Sequence, residues 1–250
     1  MLLRKLVQAF IFMGMLHLHN GCSDDGGTQA CGSASALVYG NAVCLSFENA
    51  RLSAAQKKSI EEKTIEGLQE INKRLPVDNL QIRIIDDANL VIPEIGMGGF
   101  NPNPNEVLIS IDASYESIQT SLGVNFIPQL AHEIHHAKRR RSVGYGNTLF
   151  QAVVSEGLAD HFSIEIAGIN PPPWSLALQN DDLPAWIETA GMSWDEPSYD
   201  HDAWFVGTDP EIPRWAGYAI GFELVKNYLS QHPGALASTL WDEPATSFMP

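Results

Sequence analysis

The sequence predicts an α+β fold, with a small sheet near the N-terminus and helices in the rest of the chain. The stretch "LQIRIIDD" (80–87) alternates apolar and polar residues as a half-buried strand does, and "EVLISID" (106–112) has the composition of a second strand. From Ala113 onward the spacing of apolar residues is nearly all helical. Strands followed by a run of helices is the order expected of an α+β domain.

The individual elements follow from caps and breakers. Ser53 is the expected N-cap of a first helix that runs to about Leu75. The glycine- and proline-rich stretch 96–105 is predicted to be a loop, and Gly168 is well placed to end a helix. Further helices are expected at 113–122, 125–141, 147–167, 183–191 and 210–231, with loops at 170–174 and 195–213.

Composition and charge indicate a globular protein and argue against nucleic acid and anionic lipid as partners. The chain has 250 residues and is 44% hydrophobic, which is enough for one sizeable core. Its formal net charge is −15, from 30 acidic and 15 basic residues. A uniformly acidic protein repels nucleic acid and anionic lipid headgroups, so neither is an expected partner. The basic run 138–141 is expected to complement the dipole at a helix C-terminus.

The N-terminal residues have the pattern of an export signal. A positively charged start precedes a mostly apolar stretch at 6–18, which is short for a membrane span. Gly21-Cys22 then resembles the lipidation box of bacterial lipoproteins, although His19 stands where such boxes usually have leucine. We expect residues 1–21 to be a signal peptide and Cys22 to carry a lipid. The protein would then be in the cell envelope on the periplasmic side of the outer membrane; simple secretion and an uncleaved anchor are the alternatives.

The three cysteines fit this location. If Cys22 is lipidated, Cys31 and Cys44 remain as an even pair in an oxidising compartment, where a disulfide is a reasonable hypothesis. The Ser-, Gly- and Asp-rich beginning of 22–50 is interpreted as a tether from the membrane, and 51–250 as the functional domain.

The stretch "QLAHEIHHAKRR" (129–140) places three of the eight histidines within five positions. His132, Glu133 and His136 form the pattern HExxH. On a helix, residues four apart lie one above the other, so both imidazoles can reach one metal ion. Glu133 stands beside the pair, where it can take a proton from water that the metal has made acidic.

The motif also has other interpretations. A chance match, a buried histidine pair and a solvated helix face are the alternatives. His135, three residues after His132, could also replace His136 as the ligand, but His136 lies between His132 and Glu133 on the helical wheel and is favoured. His135 would then be a packing residue or a support for a ligand. The apolar residues of this helix lie on the opposite side: Ile127, Leu130, Ala131 and Ile134.

A catalytic zinc needs a third protein ligand. The extended pattern HExxHxxGxxH fails, since Arg139 and Ser142 stand at its last two fixed positions. A following helix, however, carries Glu156, 20 residues after His136, and Asp160 one turn further on the same face. These acids lie in an otherwise apolar stretch, where burial without a partner is unfavourable. A metal on Glu156 and a histidine N–H on Asp160 would provide partners.

Together these residues resemble the gluzincin arrangement of thermolysin-like metallopeptidases. The wording "AHEIHHAKR", "QAVVSEGLADHF", "PPPW" and "WAGYAIGFELVKNYL" is similar to a bacterial family of predicted Zn-dependent proteases, over roughly 60–245. The resemblance implies a zincin-like fold for 51–250 and one Zn²⁺ per chain. The zinc would be held by His132, His136 and Glu156, with Glu133 as general base and Asp160 orienting His132.

The expected activity is hydrolysis of peptide bonds in a peptide or protein substrate. Gluzincins use a tyrosine or histidine to stabilise the oxyanion, and Tyr218 and His201 are the candidates here. By analogy with zincins, an edge strand within 98–112 could pair with the substrate. Two alternatives remain open: a non-catalytic envelope lipoprotein with a structural metal site, and a metal-dependent hydrolase of another amide or ester. The substrate, the mode of cleavage and the oligomeric state are not predicted.

Overall fold

The computed structural model describes residues 31, 35–39, 43–48, 51–178 and 182–250. The α+β class is confirmed, because a small sheet near the N-terminus precedes a helical region. Among the described residues, no helix is both long and apolar enough to cross a membrane. The strands and helices are, in chain order, β1 (Ser35–Tyr39), β2 (Val43–Glu48), α1 (Ala54–Arg74), β3 (Leu80–Asp86), β4 (Met97–Asn103), β5 (Glu106–Ile111), α2 (Ile118–Arg140), α3 (Leu149–Ala167), α4 (Asp182–Gly191) and α5 (Ala216–Gln231).

The five strands form one mixed sheet in the order β1-β2-β3-β5-β4. The three inner strands, β2, β3 and β5, run parallel to one another, whereas β1 and β4 pair antiparallel with them at the two edges. One face of β3 packs into a core formed with α1 and α2, which buries Ile82, Ile84, Leu68 and Leu130. Full burial of an aliphatic side chain contributes about 1.5–3 kcal/mol, so this layer stabilises the sheet against α2.

Two strands lie within 22–50, a segment whose beginning is interpreted from the sequence as a tether. β2 pairs with β3 in the parallel direction and β1 adds the edge, so the folded unit begins before residue 51. A disulfide between Cys31 and Cys44 joins the segment to β2. Composition conceals these strands because each is short and the preceding residues are rich in Ser and Gly. The expected signal peptide, 1–21, and the expected lipid site, Cys22, lie outside the described residues.

The prediction of a loop at 96–105 is wrong, because this stretch contains β4. Its glycines and prolines are tolerated since β4 is an edge strand, where not every backbone group has to bond to a neighbouring strand. The pairing with β5 shifts register between Phe100 and Asn103, which accommodates the intervening "NP".

The helix boundaries differ in three places. A single helix, α2, replaces the two predicted at 113–122 and 125–141, and it continues through Pro128. α5 begins at Ala216 rather than 210, directly after Trp215 in a left-handed conformation. The predicted loop 195–213 contains a π-helical turn at Asp202–Val206. The predicted caps are confirmed: Ser53 forms a capping box, and Gly168 ends α3 in the left-handed conformation.

A second apolar core lies in the C-terminal half. It contains the N-terminal part of α3 together with side chains of α4 and α5, for example Val153, Leu158, Ile220 and Val225. The last turns of α3 return to the first core through Phe162. α3 therefore belongs to both cores, whereas the buried apolar residues of α2 belong to the first alone.

Candidate metal centre

The HExxH motif lies on α2 at a level where the helix is covered on every side. His132, Glu133 and His136 are all buried, and so are their neighbours Ala131 and Ile134. The motif side of the helix therefore faces α3 and β4 rather than water, and the interpretation as a solvated helix face is wrong. Burying three ionisable groups together is unfavourable unless each has a bonding partner. Their burial therefore indicates a binding site that provides such partners.

Three ligand atoms converge between α2 and α3. The Nε2 atoms of His132 and His136 are 3.0 Å apart, and the Oε2 atom of Glu156 lies 3.1 Å from the first and 3.3 Å from the second. Burial alone would raise the pKa of Glu156, but the two histidines lower it well below its usual value. The carboxylate is therefore ionised. Within the described ranges, this is the one group of His, Cys, Asp or Glu side chains arranged to hold a metal ion.

Asp160 supports His132 from the side away from the cluster. Its Oδ1 lies 3.0 Å from Nδ1 of His132, and the carboxylate also accepts hydrogen bonds from Trp174 Nε1 (3.1 Å) and Ser175 Oγ (2.6 Å). A carboxylate can only accept here, so Nδ1 of His132 carries a proton. Nε2 is then the nitrogen that can bind a cation once its own proton is released, as in a metal-ligating histidine.

The donor set fits a zinc ion. Two imidazole nitrogens and one carboxylate oxygen are a ligand set of catalytic zinc sites, which keep a fourth position open. Burial opposes charge on His132, but Asp160 and Glu156 raise its pKa well above the usual value. Binding of a cation at Nε2 would therefore release a proton, as is general for metal sites built from protonatable ligands.

Glu133 lies beside the cluster without belonging to it. Its Oε1 accepts a hydrogen bond from Gln129 Nε2 (3.0 Å), whereas the buried Oε2 has no hydrogen-bond partner among the described residues. Burial raises the pKa of this carboxyl group. β4 runs directly against it, since a Cβ on Gly99 would lie 2.7 Å from Oε1 of Glu133. The Asn101 side-chain amide also donates to the Glu133 carbonyl oxygen at 3.1 Å.

Tyr145 is a site residue that the sequence analysis missed. Its hydroxyl donates a hydrogen bond of 2.6 Å to Oε1 of Glu156, and its ring packs edge-on against His136 at 5.3 Å between centroids. It lies in "GYGN", between α2 and α3. A loop has no periodicity that would direct a side chain towards the site; the one available signal was an aromatic residue between two glycines.

The two proposed oxyanion donors both contact one aromatic ring, that of Phe205. His201 stacks on Phe205 at 4.6 Å, and Tyr218 meets the same ring edge-on at 5.1 Å. The pKa of His201 is lowered by burial, and that of Tyr218 is raised well above its usual value by burial and by the negative charge of Glu156. Among the described residues, neither side chain forms a hydrogen bond with the three ligand residues.

His135 points away from the cluster. Its Nε2 lies 3.2 Å from the carbonyl oxygen of Ala237, and its ring packs 5.3 Å from that of Phe162. Burial lowers the pKa of this imidazole well below its usual value, so the ring is neutral. It has the contacts of a packing residue.

A cavity of about 200 Å³ opens beside His132. One wall is the first half of α2, with Val124, Pro128 and Gln129, and the other is the segment 169–174, with three consecutive prolines and Trp174. Among the described residues, no Asp, Glu, Lys or Arg lines this cavity, and His132 is the one titratable side chain in its wall. An uncharged group entering it would lie next to the metal ligands.

A mixed α/β fold, a buried His-His-Glu cluster and a neighbouring glutamate with one unpaired oxygen among the described residues define the class: a candidate zinc-site protein of the HExxH type. The chain belongs to the family described as predicted Zn-dependent protease (DUF2268), whose family model matches residues 55–249. It is also similar to the uncharacterized protein YjfC of Bacillus subtilis (strain 168), with 25% identity over 163 residues. That match covers 59% of this chain and 52% of YjfC, so the chain spans about half the length of this relative. No solved structure matches the chain.

Proposed function

We propose that the protein is a zinc-dependent peptidase of the gluzincin type. The observation that carries the proposal is Oε2 of Glu133, a buried oxygen without a hydrogen-bond partner among the described residues, beside a cluster of three metal-ligating side chains. A structural metal site has no use for such a carboxylate. A hydrolase needs one, because a base must take the proton of the attacking water.

His132, His136 and Glu156 would hold one zinc ion. When bound, zinc supplies a Lewis acid that polarises the substrate carbonyl and lowers the pKa of water towards neutrality. Asp160 keeps the proton of His132 on Nδ1, so that Nε2 can act as a ligand.

Glu133 carries the proton in this reaction. Gln129 fixes Oε1, which leaves Oε2 to take a proton from the attacking water as its oxygen bonds to the peptide carbonyl carbon. The same oxygen then delivers that proton to the leaving amine nitrogen when the C–N bond breaks, so no proton is gained or lost. The raised pKa of the buried carboxyl group suits both steps, because a base works best with a pKa near the operating pH.

The negative charge that develops on the carbonyl oxygen needs a donor. Tyr218 and His201 are the proposed donors, supported by their position around Phe205 and by their electrostatic interaction with Glu156. Burial keeps both groups in the neutral, donating form.

The substrate would be an extended peptide. β4 is an edge strand of the sheet and packs on Glu133 through Gly99, so a peptide added along it would pass the base. A side chain of that peptide could enter the cavity beside His132.

The test compares three variants in zinc content and in cleavage of a denatured protein pool, with and without a chelator. Glu133→Gln should keep zinc and lose hydrolysis; Glu156→Ala should lose both. Glu61→Gln, at an exposed position on α1, is the matched control and should keep both. Undiminished cleavage by Glu133→Gln would falsify its role. Stoichiometric zinc without any cleavage by the unchanged protein would favour a structural metal site instead.

We also propose that the protein acts in the cell envelope, anchored by a lipid on Cys22. The leader-like residues 1–21 and the disulfide between Cys31 and Cys44 support this, since disulfides persist in oxidising compartments. Incorporation of labelled palmitate that is lost in Cys22→Ser would support lipidation; equal labelling of the two proteins would refute it.

A further inference from the structure

Two of the three metal-ligating residues are in contact with Tyr145. Its hydroxyl donates to Oε1 of Glu156 at 2.6 Å, which leaves Oε2 as the oxygen directed at the two histidines. Its ring also packs against His136, whose buried Nδ1 has no hydrogen-bond partner within the described part of the chain. His132 is oriented by a hydrogen bond to Asp160, whereas His136 is oriented by ring contacts with His132 and Tyr145.

The backbone of Tyr145 is held by a hydrogen bond from α3. The Ser155 hydroxyl donates to the Tyr145 carbonyl oxygen at 2.5 Å and accepts from Arg139 Nε at 3.0 Å. Arg139 is buried and makes no ion pair within the described ranges; its guanidinium donates to the carbonyl oxygens of Trp241 (3.2 Å) and Glu243 (2.8 Å). Burial lowers the pKa of Arg139 to about 10, so the group stays charged at neutral pH.

A buried arginine bound only to neutral acceptors is unfavourable and needs a reason. Arg139 lies in the last turn of α2, where the basic run 138–141 is expected to complement the helix dipole. Its hydrogen bonds, however, connect the end of α2 to the C-terminal segment and, through Ser155, to the loop that contains Tyr145. Ser155 directly precedes Glu156 in α3.

We propose that Tyr145 is a positioning residue of the metal centre: its hydroxyl restricts Glu156 to ligation through Oε2 alone, its ring orients His136, and Arg139 holds the tyrosine in place through Ser155. This inference rests on the proposed zinc site. A carboxylate that binds through one oxygen leaves a coordination position for water or substrate, so Tyr145 keeps the site open without touching the metal.

Tyr145→Phe removes the hydroxyl and keeps the ring. Zinc affinity, measured by chelator competition, should fall about 10- to 100-fold, the range found when a group supporting a metal ligand is lost. The cobalt-substituted variant should also show the weaker visible absorption of a higher coordination number, because both oxygens of Glu156 become available. Tyr228→Phe is the matched control, since Tyr228 packs on His232 and Phe248 away from the site. It should change neither quantity.

Tyr145→Leu tests the ring separately and should weaken zinc binding more than Tyr145→Phe, because His136 then loses its packing contact. Ser155→Ala should weaken zinc binding in the same direction as Tyr145→Phe, by a smaller factor. If Ser155 acts through the tyrosine, its effect should shrink in a Tyr145→Phe background, as coupled sites are not additive. Equal effects in both backgrounds would overturn the role of Arg139 and Ser155.

The outcomes separate this inference from the proposed function. If the unchanged protein binds zinc and Tyr145→Phe binds it equally well with the same cobalt spectrum, the positioning role is wrong even if activity falls. A loss of kcat with unaltered zinc affinity would mean that Tyr145 contacts the substrate instead. If the unchanged protein binds no zinc, both the proposed function and the positioning role fail.

Discussion

Gly157 of α3 and Gly221 of α5 are in direct backbone contact. A Cβ on Gly157 would lie 2.1 Å from the carbonyl oxygen of Gly221, and a Cβ on Gly221 would lie 2.0 Å from the carbonyl oxygen of Val153. Only glycine permits this approach. Glu156 is the residue before Gly157, and Tyr218 lies about one turn before Gly221. The helix contact therefore brings Tyr218 close enough to Glu156 for an electrostatic interaction.

Replacing either glycine should therefore separate the helices. Gly221→Ala is expected to destabilise the protein by about 1–3 kcal/mol, the usual effect of overpacking, and to reduce activity through Tyr218. Urea denaturation measures the change. Gly123→Ala is the control, because a Cβ there meets nothing within 4 Å and alanine favours the helix. A Gly221→Ala protein as stable as the control would contradict the packing argument.

Replacing Gly99 of β4 should affect the rate of hydrolysis more than the stability of the fold. Gly99→Ala would bring a methyl group to 2.7 Å from Oε1 of Glu133 and displace the carboxylate. Hydrolysis should fall by up to about 10²-fold, since the base is misplaced, while zinc content stays near one per chain because no ligand is moved. Zinc analysis and the rate of peptide cleavage check this together. If activity and zinc content fall in parallel, the strand supports the metal site rather than the base.

Asp160→Asn should weaken zinc binding about 10- to 100-fold, since the amide is a poorer acceptor for the His132 proton and lowers the basicity of that ligand. Chelator competition gives the affinity. Asp195→Asn, at an exposed position, provides a charge-matched control. Wild-type affinity in Asp160→Asn would show that His132 is oriented by its other contacts.

The two proposed oxyanion donors can be separated by kinetics. Loss of a donor typically lowers kcat by about 10²- to 10³-fold, because the hydrogen bond forms fully only in the transition state. Tyr218→Phe or His201→Gln should show this loss with KM and zinc content little changed. The variant that retains kcat identifies the residue with a packing role; full activity of both would exclude the pair.

The pH dependence of stability should reveal the ion pair between Asp86 and Arg51, whose Nε lies 2.6 Å from Oδ2 of Asp86. The hydrogen bond from Arg51 lowers the pKa of Asp86 in the folded protein. A carboxyl group with a depressed folded pKa stabilises the fold above its unfolded pKa of about 3.9, and this stabilisation disappears as the pH falls through the folded value.

Asp86→Asn should accordingly be less stable than the unchanged protein at pH 7, and the difference should shrink in acid, below pH about 4. Denaturation at several pH values measures it. Asp87→Asn, at the next position, is the control. A difference that persists unchanged in acid would mean that the aspartate acts through packing rather than charge.

The part of the site that lies on helices could be predicted from the sequence, because helical spacing converts directly into neighbouring side chains. His132 and His136 share a face of α2, and Glu156 and Asp160 share a face of α3; the structure brings these two faces together. The contact between the two helices was not available from spacing and came from the resemblance to gluzincins.

The parts that escaped prediction depend on long-range contacts. β1 and β2 are short; β2 pairs with β3 and β1 with β2. β4 is stabilised by β5 despite its glycines and prolines. Tyr145 contacts Glu156 from a loop, and its carbonyl oxygen accepts from Ser155, which in turn accepts from Arg139; Ser155 and Arg139 come from two different helices. Local periodicity contains no information on such contacts.

The membership of α3 in both apolar cores has a mechanical consequence. His132 and His136 belong to a helix of the first core, whereas Glu156 lies in the part of α3 that packs in the second. A cation bound by these three ligands would link the two apolar cores of the molecule. Its removal should let the two cores fluctuate independently, with faster amide exchange in α4 and α5, whose buried apolar residues belong to the second core alone.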